Sequence, residues 1–563
     1  MTTQELSTAQ PETTEVLEAP VRPPAGSAPT ASEATGDRRP ARHRSPAGSA
    51  PFTLTTMTVW DKAVLSALTA GAAVLALWNL TGAPSYQDDE GTYTAQAYAV
   101  ASGSLAPYTY WYDHPPLGWI QLAALNWFPH LLGLGDGTAI GGTRYVIAMY
   151  FVAGAVLLYL LARRLRLRIP FAAMTAVVFI LSPLSLVLGR QVYLDNIGVP
   201  WLLLAFYLAL SSRDALWHHI GAGICFAVAV LSKETLAIFG PALLLALIHR
   251  PKWSNRSFSV VGFLGAGGLV LAFYPLSALL RNELLAGPDH VSLQTALSYQ
   301  FLERSGSGTI FQAGSSRAQL LAGWLYFDKY LIAAGLAAAV VCLLRRRAQV
   351  VTAAIVSFAV PIVVGQGYLP AMYVIGVIPF LALALGTAVD IAWSGMEKLG
   401  RRSPGFKHPL RAAFTLALAG SLVLMSVPQW FEQDRLLLTA DSNSNWRQAM
   451  TWVQRNVSRQ DVVLAPYSMW QDLNSSGWNN AWTMIATEKA DLDRQFRAER
   501  PGGWRDIKWI IVGPSVTSNI DNLGLQLAKT ALENSEPVQA YGEWSIRRVT
   551  AAPAQDANGK PRP

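Results

Sequence analysis

Apolar segments long enough to form membrane helices recur along most of this chain, and they constrain its fold more than any other feature. A helix needs about 20 apolar residues to cross the hydrocarbon core of a bilayer. Segments of roughly that length lie near 60–80, 143–162, 170–188, 196–211, 217–232, 235–249, 257–280, 324–344, 350–365, 371–393 and 410–428. We therefore expect a polytopic α-helical membrane protein with about eleven transmembrane helices.

The composition excludes a compact soluble protein. Charged residues make up 14% of the 563 residues, whereas a typical soluble domain has about 25%. The two cysteines, Cys225 and Cys342, lie inside apolar segments and are expected to be core residues. The net charge is +8, but the basic residues cluster beside apolar segments and no nucleic-acid-binding motif accompanies them. This charge pattern indicates membrane topology and no nucleic-acid partner.

Basic clusters in alternate connections predict the orientation. They lie at 163–168, 250–256, 345–347 and 398–411. The positive-inside rule places these connections in the cytoplasm. We expect a multi-pass protein of the plasma membrane with a cytoplasmic N-terminus and an extracytoplasmic C-terminal domain.

Composition also divides the chain. The first 50 residues are rich in Pro and Ala and carry almost no large apolar side chains, so they cannot offset the entropy cost of ordering. Amphipathic and apolar runs at 446–456, 462–465 and 509–512 predict one helix and two strands near the C-terminus. The expected organisation is a disordered cytoplasmic tail (1–55), a membrane domain (56–430) with long outward loops at 81–142 and 281–323, a small extracytoplasmic α/β domain (431–550) and a disordered tail (551–563).

The first outward loop carries unusual charge at the membrane boundary. Asp88, Asp89 and Glu90 are adjacent, and such carboxylates stay ionised together only beside water, a cation or a basic partner. The alternative is a solvated helix N-terminus, where acidic residues interact well with the helix dipole. Further along, Asp113 and His114 precede a Pro-Pro pair that fixes an extended turn. A lone histidine is usually structural, but an Asp-His pair beside aromatic residues suggests a site.

The next outward turns also carry charges. Arg190 and Asp195 flank the second turn, and Lys233 lies in the third. Each has a structural alternative: an ion pair, an interface anchor, or a lysine reaching the headgroups. Ionisable groups at this depth are costly and usually functional. Their coincidence at one face therefore predicts a site there.

These motifs resemble the GT-C superfamily of integral-membrane glycosyltransferases. Within it, the chain most resembles the protein O-mannosyltransferase and aminoarabinose transferase group and is similar to glycosyltransferase family 39. The likeness covers roughly 60–430. It rests on Asp89-Glu90, on the Asp-His-Pro-Pro-Leu-Gly stretch at 113–118 and on the late outward turn at 368–373. Trp119 departs from the lysine that mannosyltransferases carry, which puts a protein acceptor in doubt.

The resemblance implies transfer of a sugar from a polyprenyl-phosphate donor to an acceptor on the outer face, with inversion. The acceptor would be a glycan, a glycolipid or a protein, and membrane lipids would surround the donor's tail. A carboxylate suits the general base, so Asp89 is the first choice and Glu90 would orient it or bind the acceptor. The leaving phosphate needs cations. The expected phosphate-binding residues are Lys233, Arg190 and Tyr373, and other expected site residues are Asp88, Asp113, His114 and Asp195.

A divalent metal ion is the one cofactor that the resemblance suggests. Asp113 and His290 would be its candidate ligands, with a zinc-like preference. Two ligands from distant loops do not make the ion a requirement.

Two other functions remain open at this point. A lipid or sugar transporter or flippase would also have many spans, although paired repeats with broken helices are not evident here. A non-catalytic scaffold could bind a wall component through its outward domain. In that domain, Trp470, Trp478 and Trp482 could contact sugar rings or pack the core.

Overall fold

The computed structural model describes 56–211, 215–249, 256–288, 290–304, 306–365, 367–402 and 427–550, together with the single positions 409, 413, 414, 417 and 421. The predicted disordered tails, 1–55 and 551–563, lie outside the described residues. So does most of the last predicted span, 410–428.

Helices make up the membrane domain. Up to residue 280 they are α1 (Val59–Leu77), α2 (Asp88–Ala101), α3 (Leu117–Leu125), α4 (Trp127–Leu131), α5 (Ala139–Arg164), α6 (Ile169–Leu181), α7 (Pro183–Gly189), α8 (Leu194–Ala209), α9 (Leu216–Ser232), a 3-10 helix (Glu234–Phe239), α10 (Gly240–Ile248), α11 (Arg256–Leu271) and α12 (Phe273–Leu280). The following elements are α13 (Leu293–Ser298), a π-helix (Tyr299–Glu303), α14 (Ser316–Cys342), α15 (Gln349–Val364), a 3-10 helix (Ala371–Gly376) and α16 (Ile378–Arg402).

The predicted spans from 60–80 to 371–393 all coincide with helices. Five helical segments in the described part of the chain are long and apolar enough to cross a membrane: Val59–Leu77, Ala139–Arg164, Arg256–Leu280, Ser316–Cys342 and Ala371–Lys398. A sixth is added if α6 and α7, bent by 61°, count as one span. The other predicted spans are shorter helices, such as Leu194–Ala209 with 16 residues. At 1.5 Å per residue these are shorter than the roughly 30 Å hydrocarbon core, so the count of eleven stays a prediction.

The chain after residue 427 forms the predicted α/β sheet region. Its elements are α17 (Val427–Thr439), α18 (Ser444–Asn456), β1 (Val463–Ala465), α19 (Tyr467–Leu473), a π-helix (Asn474–Trp478), β2 (Met484–Ala486), α20 (Lys489–Leu492), α21 (Arg494–Glu499), a 3-10 helix (Gly503–Asp506), β3 (Trp509–Val512), α22 (Val516–Leu523), α23 (Gln526–Glu533), β4 (Ser535–Tyr541) and β5 (Trp544–Val549). The sheet order is β2-β1-β3-β5-β4. Strand β1 pairs in parallel with β2 and β3, and β5 is antiparallel to β3 and β4. The predicted helix and both predicted strands are present.

Two of the three tryptophans singled out in this region lie in its core, and the third, Trp482, is half-buried. Trp470 and Trp478 are buried. The Trp470 indole N–H donates to the carbonyl of Met484 (2.8 Å), and that of Trp478 donates to the carbonyl of Asp461 (3.3 Å). These two indoles therefore pack the region rather than face an open surface.

The C-terminal region is attached to the first outward loop by buried hydrogen bonds. Asn443 Oδ1 accepts from the backbone N–H of Tyr86 (2.9 Å), and its Nδ2 donates to the carbonyl of Thr81 (2.9 Å). The Tyr108 hydroxyl accepts from the backbone N–H of Ala486 (2.9 Å). Separation of the sheet region from the loop would leave these buried polar groups without partners, so the bonds hold the two segments together.

Candidate active site

The first turn of α2 distributes its three adjacent carboxylates in three directions. Gln87 is the N-cap, and its backbone N–H donates to Glu90 Oε1 (3.2 Å). A helix turns by about 100° per residue, so Asp88, Asp89 and Glu90 cannot point the same way. Each has a different environment.

Glu90 lies in a buried ion pair. Arg144 of α5 donates from Nη2 to Glu90 Oε1 (2.6 Å) and from Nε to Oε2 (2.8 Å). The backbone N–H of Val192 also donates to Oε2 (2.9 Å). Both carboxylate oxygens are thus occupied, and Glu90 holds α2 against α5 and the turn before α8. Arg144 is a single charged residue inside the predicted span 143–162, and a charge at that depth needs a partner. This was the one sign in the sequence that Arg144 would be important.

Asp88 is bonded to the C-terminal region. Its Oδ1 accepts from the Ser468 hydroxyl (2.8 Å) and backbone N–H (3.2 Å), and its Oδ2 accepts from the Ser515 hydroxyl. The approach of the two segments is close, since a Cβ atom on Gly91 would lie 2.1 Å from the carbonyl oxygen of Tyr467. Only glycine fits there.

Asp89 is the remaining carboxylate, and it is exposed. Within the part of the chain that the structure describes, no side chain or backbone group bonds its oxygens. Desolvation by the surrounding protein raises the pKa of Asp89 above its usual 3.8, Asp88 and Glu90 add to the rise, and Lys233 and His114 oppose it. The carboxylate is therefore accessible and unpaired, and it lies within electrostatic range of the Lys233 ammonium.

Lys233 lies where α9 ends, in an extended conformation (φ −153°, ψ 112°) between α9 and the following 3-10 helix. Its side chain is buried, with 1% of the residue exposed. The ammonium Nζ lies 3.3 Å from His114 Nε2 and 3.6 Å from Glu234 Oε1. The carboxylates close enough to interact electrostatically with it are those of Asp89, Asp113, Asp195 and Glu234.

The Asp-His pair of the first loop reaches the same cluster. His114 Nδ1 lies 3.1 Å from Glu234 Oε2, and its carbonyl accepts from the Tyr110 hydroxyl (2.6 Å). Asp113 is exposed, and none of the described residues bonds its carboxylate. The sequence did not single out Glu234, although it directly follows Lys233.

Asp195 is the second residue of α8 and is buried. Neither of its carboxylate oxygens has a hydrogen-bond partner among the described residues. The positive end of the α8 dipole and the nearby Lys233 are the interactions that favour its charge. We refer to Asp89, Asp113, His114, Asp195, Lys233 and Glu234 as the loop cluster.

Two predicted phosphate-binding residues lie outside the loop cluster. The buried guanidinium of Arg190 donates to the carbonyls of Trp78 and Leu437. Tyr373 stacks on Phe358 with ring centroids 4.5 Å apart, and its hydroxyl donates to the carbonyl of Phe358 (3.3 Å). Both side chains join helix ends in this structure.

The predicted metal ligands gain no support. His290 places Nδ1 3.2 Å from the carbonyl of Pro288 and Nε2 3.2 Å from that of Leu285, both in its own loop. No three His, Cys, Asp or Glu side chains in the described ranges are grouped so that they could hold a metal ion. The residues present therefore do not fit the ion that the resemblance suggested.

Comparison with known proteins supports the predicted resemblance. The family model for dolichyl-phosphate-mannose-protein mannosyltransferase matches 113–278, which includes the Asp-His pair, Asp195 and Lys233. No protein of curated function matches the chain.

Solved structures share the fold. ArnT from Cupriavidus metallidurans, solved with undecaprenyl phosphate, superposes with a TM-score of 0.56 at 16% identity, over 87% of this chain and 99% of that one. The oligosaccharyltransferase of Archaeoglobus fulgidus gives 0.52 at 13% identity, over 84% and 72%. AglB from Archaeoglobus fulgidus, solved with an inhibitory peptide and a dolichol-phosphate, gives 0.50 at 12% identity, over 84% and 72%. The family match over 113–278 and the shared fold agree with the resemblance to the GT-C superfamily of integral-membrane glycosyltransferases.

Proposed function

We propose that this protein transfers a sugar from a polyprenyl-phosphate donor to a hydroxyl group of an acceptor at the outer face of the plasma membrane, with inversion. The observation that carries the proposal is the loop cluster, in which the unpaired carboxylate of Asp89 is within electrostatic range of the buried ammonium of Lys233. A transfer from a lipid phosphate needs a base for the acceptor and a cation for the leaving group. The undecaprenyl phosphate of ArnT and the dolichol-phosphate of AglB support a lipid phosphate as the carrier.

Asp89 is the proposed general base. Of the three carboxylates in the first turn of α2, Asp88 and Glu90 are bonded to neighbouring segments, and Asp89 is unpaired and accessible. The acceptor oxygen attacks the anomeric carbon, its proton passes to Asp89, and the bond from that carbon to the phosphate oxygen breaks. The lipid phosphate leaves with the electron pair. Attack from the face opposite the leaving group inverts the anomeric centre.

Lys233 is the proposed cation that binds the lipid phosphate, and we propose that the adjacent His114 also contacts the phosphate. An ammonium buried among protein groups stabilises developing negative charge more than one in water does. Glu234 contacts both side chains and holds them together. Arg190 and Tyr373 take no part in the proposal, because the Arg190 guanidinium and the Tyr373 hydroxyl donate to backbone carbonyls outside the loop cluster.

The placement of charges along α5 supports an outward-facing site. At its beginning Arg144 pairs with Glu90, and near its end Arg163 pairs with Asp61 of α1 (2.6 Å). These two arginines are about 28 Å apart along the helix, so the loop cluster and the basic connection at 163–168 lie at opposite ends. The positive-inside rule puts that connection in the cytoplasm.

Purified protein in detergent provides the test. We expect it to remove labelled sugar from polyprenyl-phosphate mannose or polyprenyl-phosphate arabinose, and we expect Asp89→Asn to abolish this activity. Asp521→Asn, a change at an exposed carboxylate of the C-terminal region, is the matched control. A transporter shows no turnover without a sealed compartment, so loss of label from the lipid excludes that alternative. Full activity of Asp89→Asn would remove Asp89 from the mechanism.

A further inference from the structure

A polar recess lies between the first outward loop and the C-terminal region, outside the residues assigned so far to base and phosphate. Its cavity volume is about 90 Å³. The residues of its lining that matter here are Gln96, Trp111, Asp113, Tyr467, Glu488 and Lys489. The loop and the sheet region both contribute to it.

Two buried polar groups in this recess lack partners among the described residues. Gln96 is 8% exposed, and its Oε1 has no hydrogen-bond partner among the described residues. The same is true of the buried indole N–H of Trp111. Native proteins leave few buried polar groups unsatisfied, so this concentration indicates a ligand that would pair with them.

The walls of the recess are held in place. The Tyr108 hydroxyl bonds to Ala486, as described above, and donates to the carbonyl of Met484 (3.2 Å). The backbone N–H of Thr109 donates to Asp493 Oδ2 (3.1 Å). A site fixed in this way loses little conformational freedom when a ligand binds.

The charges of the recess select the ligand. Glu488 and Asp113 bring two carboxylates, and Asp89 and Asp113 are both close enough to interact electrostatically with Glu488. The cation of the lining, Lys489, lies with Nζ 5.7 Å from the ring centre of Trp111. Carboxylates accept hydrogen bonds from hydroxyl groups and repel phosphate. The aromatic rings provide flat apolar faces.

We propose that this recess binds the acceptor, that the acceptor is a neutral, polyhydroxylated glycan, and that Glu488 of the C-terminal region is one of its binding residues. The inference rests on the proposed function, because it supplies the substrate that Asp89 would deprotonate. Glu488 accepts from sugar hydroxyls, the Trp111 N–H donates to a sugar oxygen, and the aromatic walls contact the C–H face of the ring. The C-terminal region then forms part of the active site.

Binding measurements on the full-length protein in detergent test this inference without turnover. The probes are three neutral trisaccharides (mannotriose, maltotriose and arabinotriose), a serine- and threonine-containing peptide, and glucose 1-phosphate, with binding followed by saturation-transfer NMR. We expect at least one trisaccharide to bind, and glucose 1-phosphate and the peptide to bind more weakly. Glu488→Gln should weaken trisaccharide binding about tenfold, as expected for a lost hydrogen bond to a charged group. Trp111→Phe, which keeps the aromatic face and loses the N–H, should weaken it less.

The matched control is Glu499→Gln, a change at an exposed carboxylate of α21, which should bind like the unmodified protein. The inference is overturned if no trisaccharide binds, if the peptide or the phosphorylated sugar binds better, or if Glu488→Gln binds as tightly as the control. Binding of undecaprenyl phosphate is measured in parallel and should be equal in Glu488→Gln and the unmodified protein. If the protein binds the lipid but no trisaccharide, only the inference that the recess binds the acceptor is contradicted. If it binds no lipid phosphate, the proposed function is contradicted.

Discussion

The three adjacent carboxylates of α2 show how one helical turn separates residues of the same chemistry. Asp88 bonds to Ser468 and Ser515, Glu90 bonds to Arg144, and Asp89 is unpaired. Two of the three hold the backbone in place, and this leaves the third in a fixed position. A base held in this way is ready to accept a proton from a bound hydroxyl.

The pH dependence of activity should report Asp89. The proposed base acts only when it is deprotonated, and desolvation by the surrounding protein raises the pKa of Asp89 above 3.8. We expect the initial rate of sugar transfer to rise with pH through a midpoint above 3.8. Desolvation and the nearby negative charges of Asp88 and Glu90 make Asp89 harder to ionise than an isolated carboxyl group. Initial rates measured between pH 4 and 8 check this. A rate that is constant down to pH 4 would show that another group is the base.

Glu90 should behave as a positioning residue. Glu90→Gln leaves the Arg144 charge buried without its partner, which typically costs about 3–5 kcal/mol. We expect a large fall in the melting temperature in detergent, while Asp89→Asn, which breaks no contact, melts like the unmodified protein. If Glu90→Gln keeps its melting temperature and loses only activity, Glu90 takes part in the chemistry.

At the scale of elements, the loop cluster depends on where three helices meet. Helix α3 begins three residues after His114, α9 ends just before Lys233, and Gly118 is the second residue of α3. A Cβ atom on Gly118 would lie 2.9 Å from the carbonyl oxygen of Ser232 and 2.8 Å from Leu194 Cδ2. The small residue therefore lets α3 approach the ends of α8 and α9.

Gly118→Ala should separate these helices. Since a backbone carbonyl cannot move aside cheaply, we expect α3 to shift, His114 to move from Lys233, and the affinity for undecaprenyl phosphate to fall together with the melting temperature. Gly71→Ala is the control, because a Cβ atom there meets no atom within 4 Å in α1. Equal lipid affinity in both variants would show that α3 does not position His114.

The sequence predicted the elements better than the contacts between them. Apolar length located the helices because each one is a local pattern, and the Asp-His pair, Asp89 and Lys233 were selected because charges at a membrane boundary are costly. The partners Arg144 and Glu234 and the direction of Arg190 were not predicted, because they depend on which distant segments pack together. A charge pattern shows that a residue needs a partner, but it does not show which partner the fold provides.

At the scale of the whole molecule, the C-terminal sheet region is part of the same folded body as the membrane helices. Asp88 joins it to α2, and Asp472 Oδ1 accepts from the backbone N–H of Ala139 at the start of α5 (2.8 Å). In the sequence, Asp88 and Ala139 lie near the two ends of the first outward loop. Detachment of the sheet region would therefore release both the loop and the recess beside it.

The attachment should weaken as the pH rises, because of Asp472. Burial raises its pKa to about 7, Asp136 contributes to the rise, and the bond from Ala139 opposes it. The folded protein therefore holds a proton on Asp472 between pH 3.8 and about 7 that the unfolded chain has released, so this residue's stabilising contribution is lost as the pH rises through 7. Asp472→Asn keeps the acceptor oxygen and removes the charge. We therefore expect a higher melting temperature at pH 8 and a shallower decline of the melting temperature from pH 5 to 8.

Glu488, with a pKa raised to about 7 by burial, contributes to this decline in both proteins. The difference between the melting temperatures of the variant and the unmodified protein across pH therefore isolates Asp472. Parallel melting curves for Asp472→Asn and the Asp521→Asn control would show that Asp472 ionises as easily in the folded protein as in the unfolded chain.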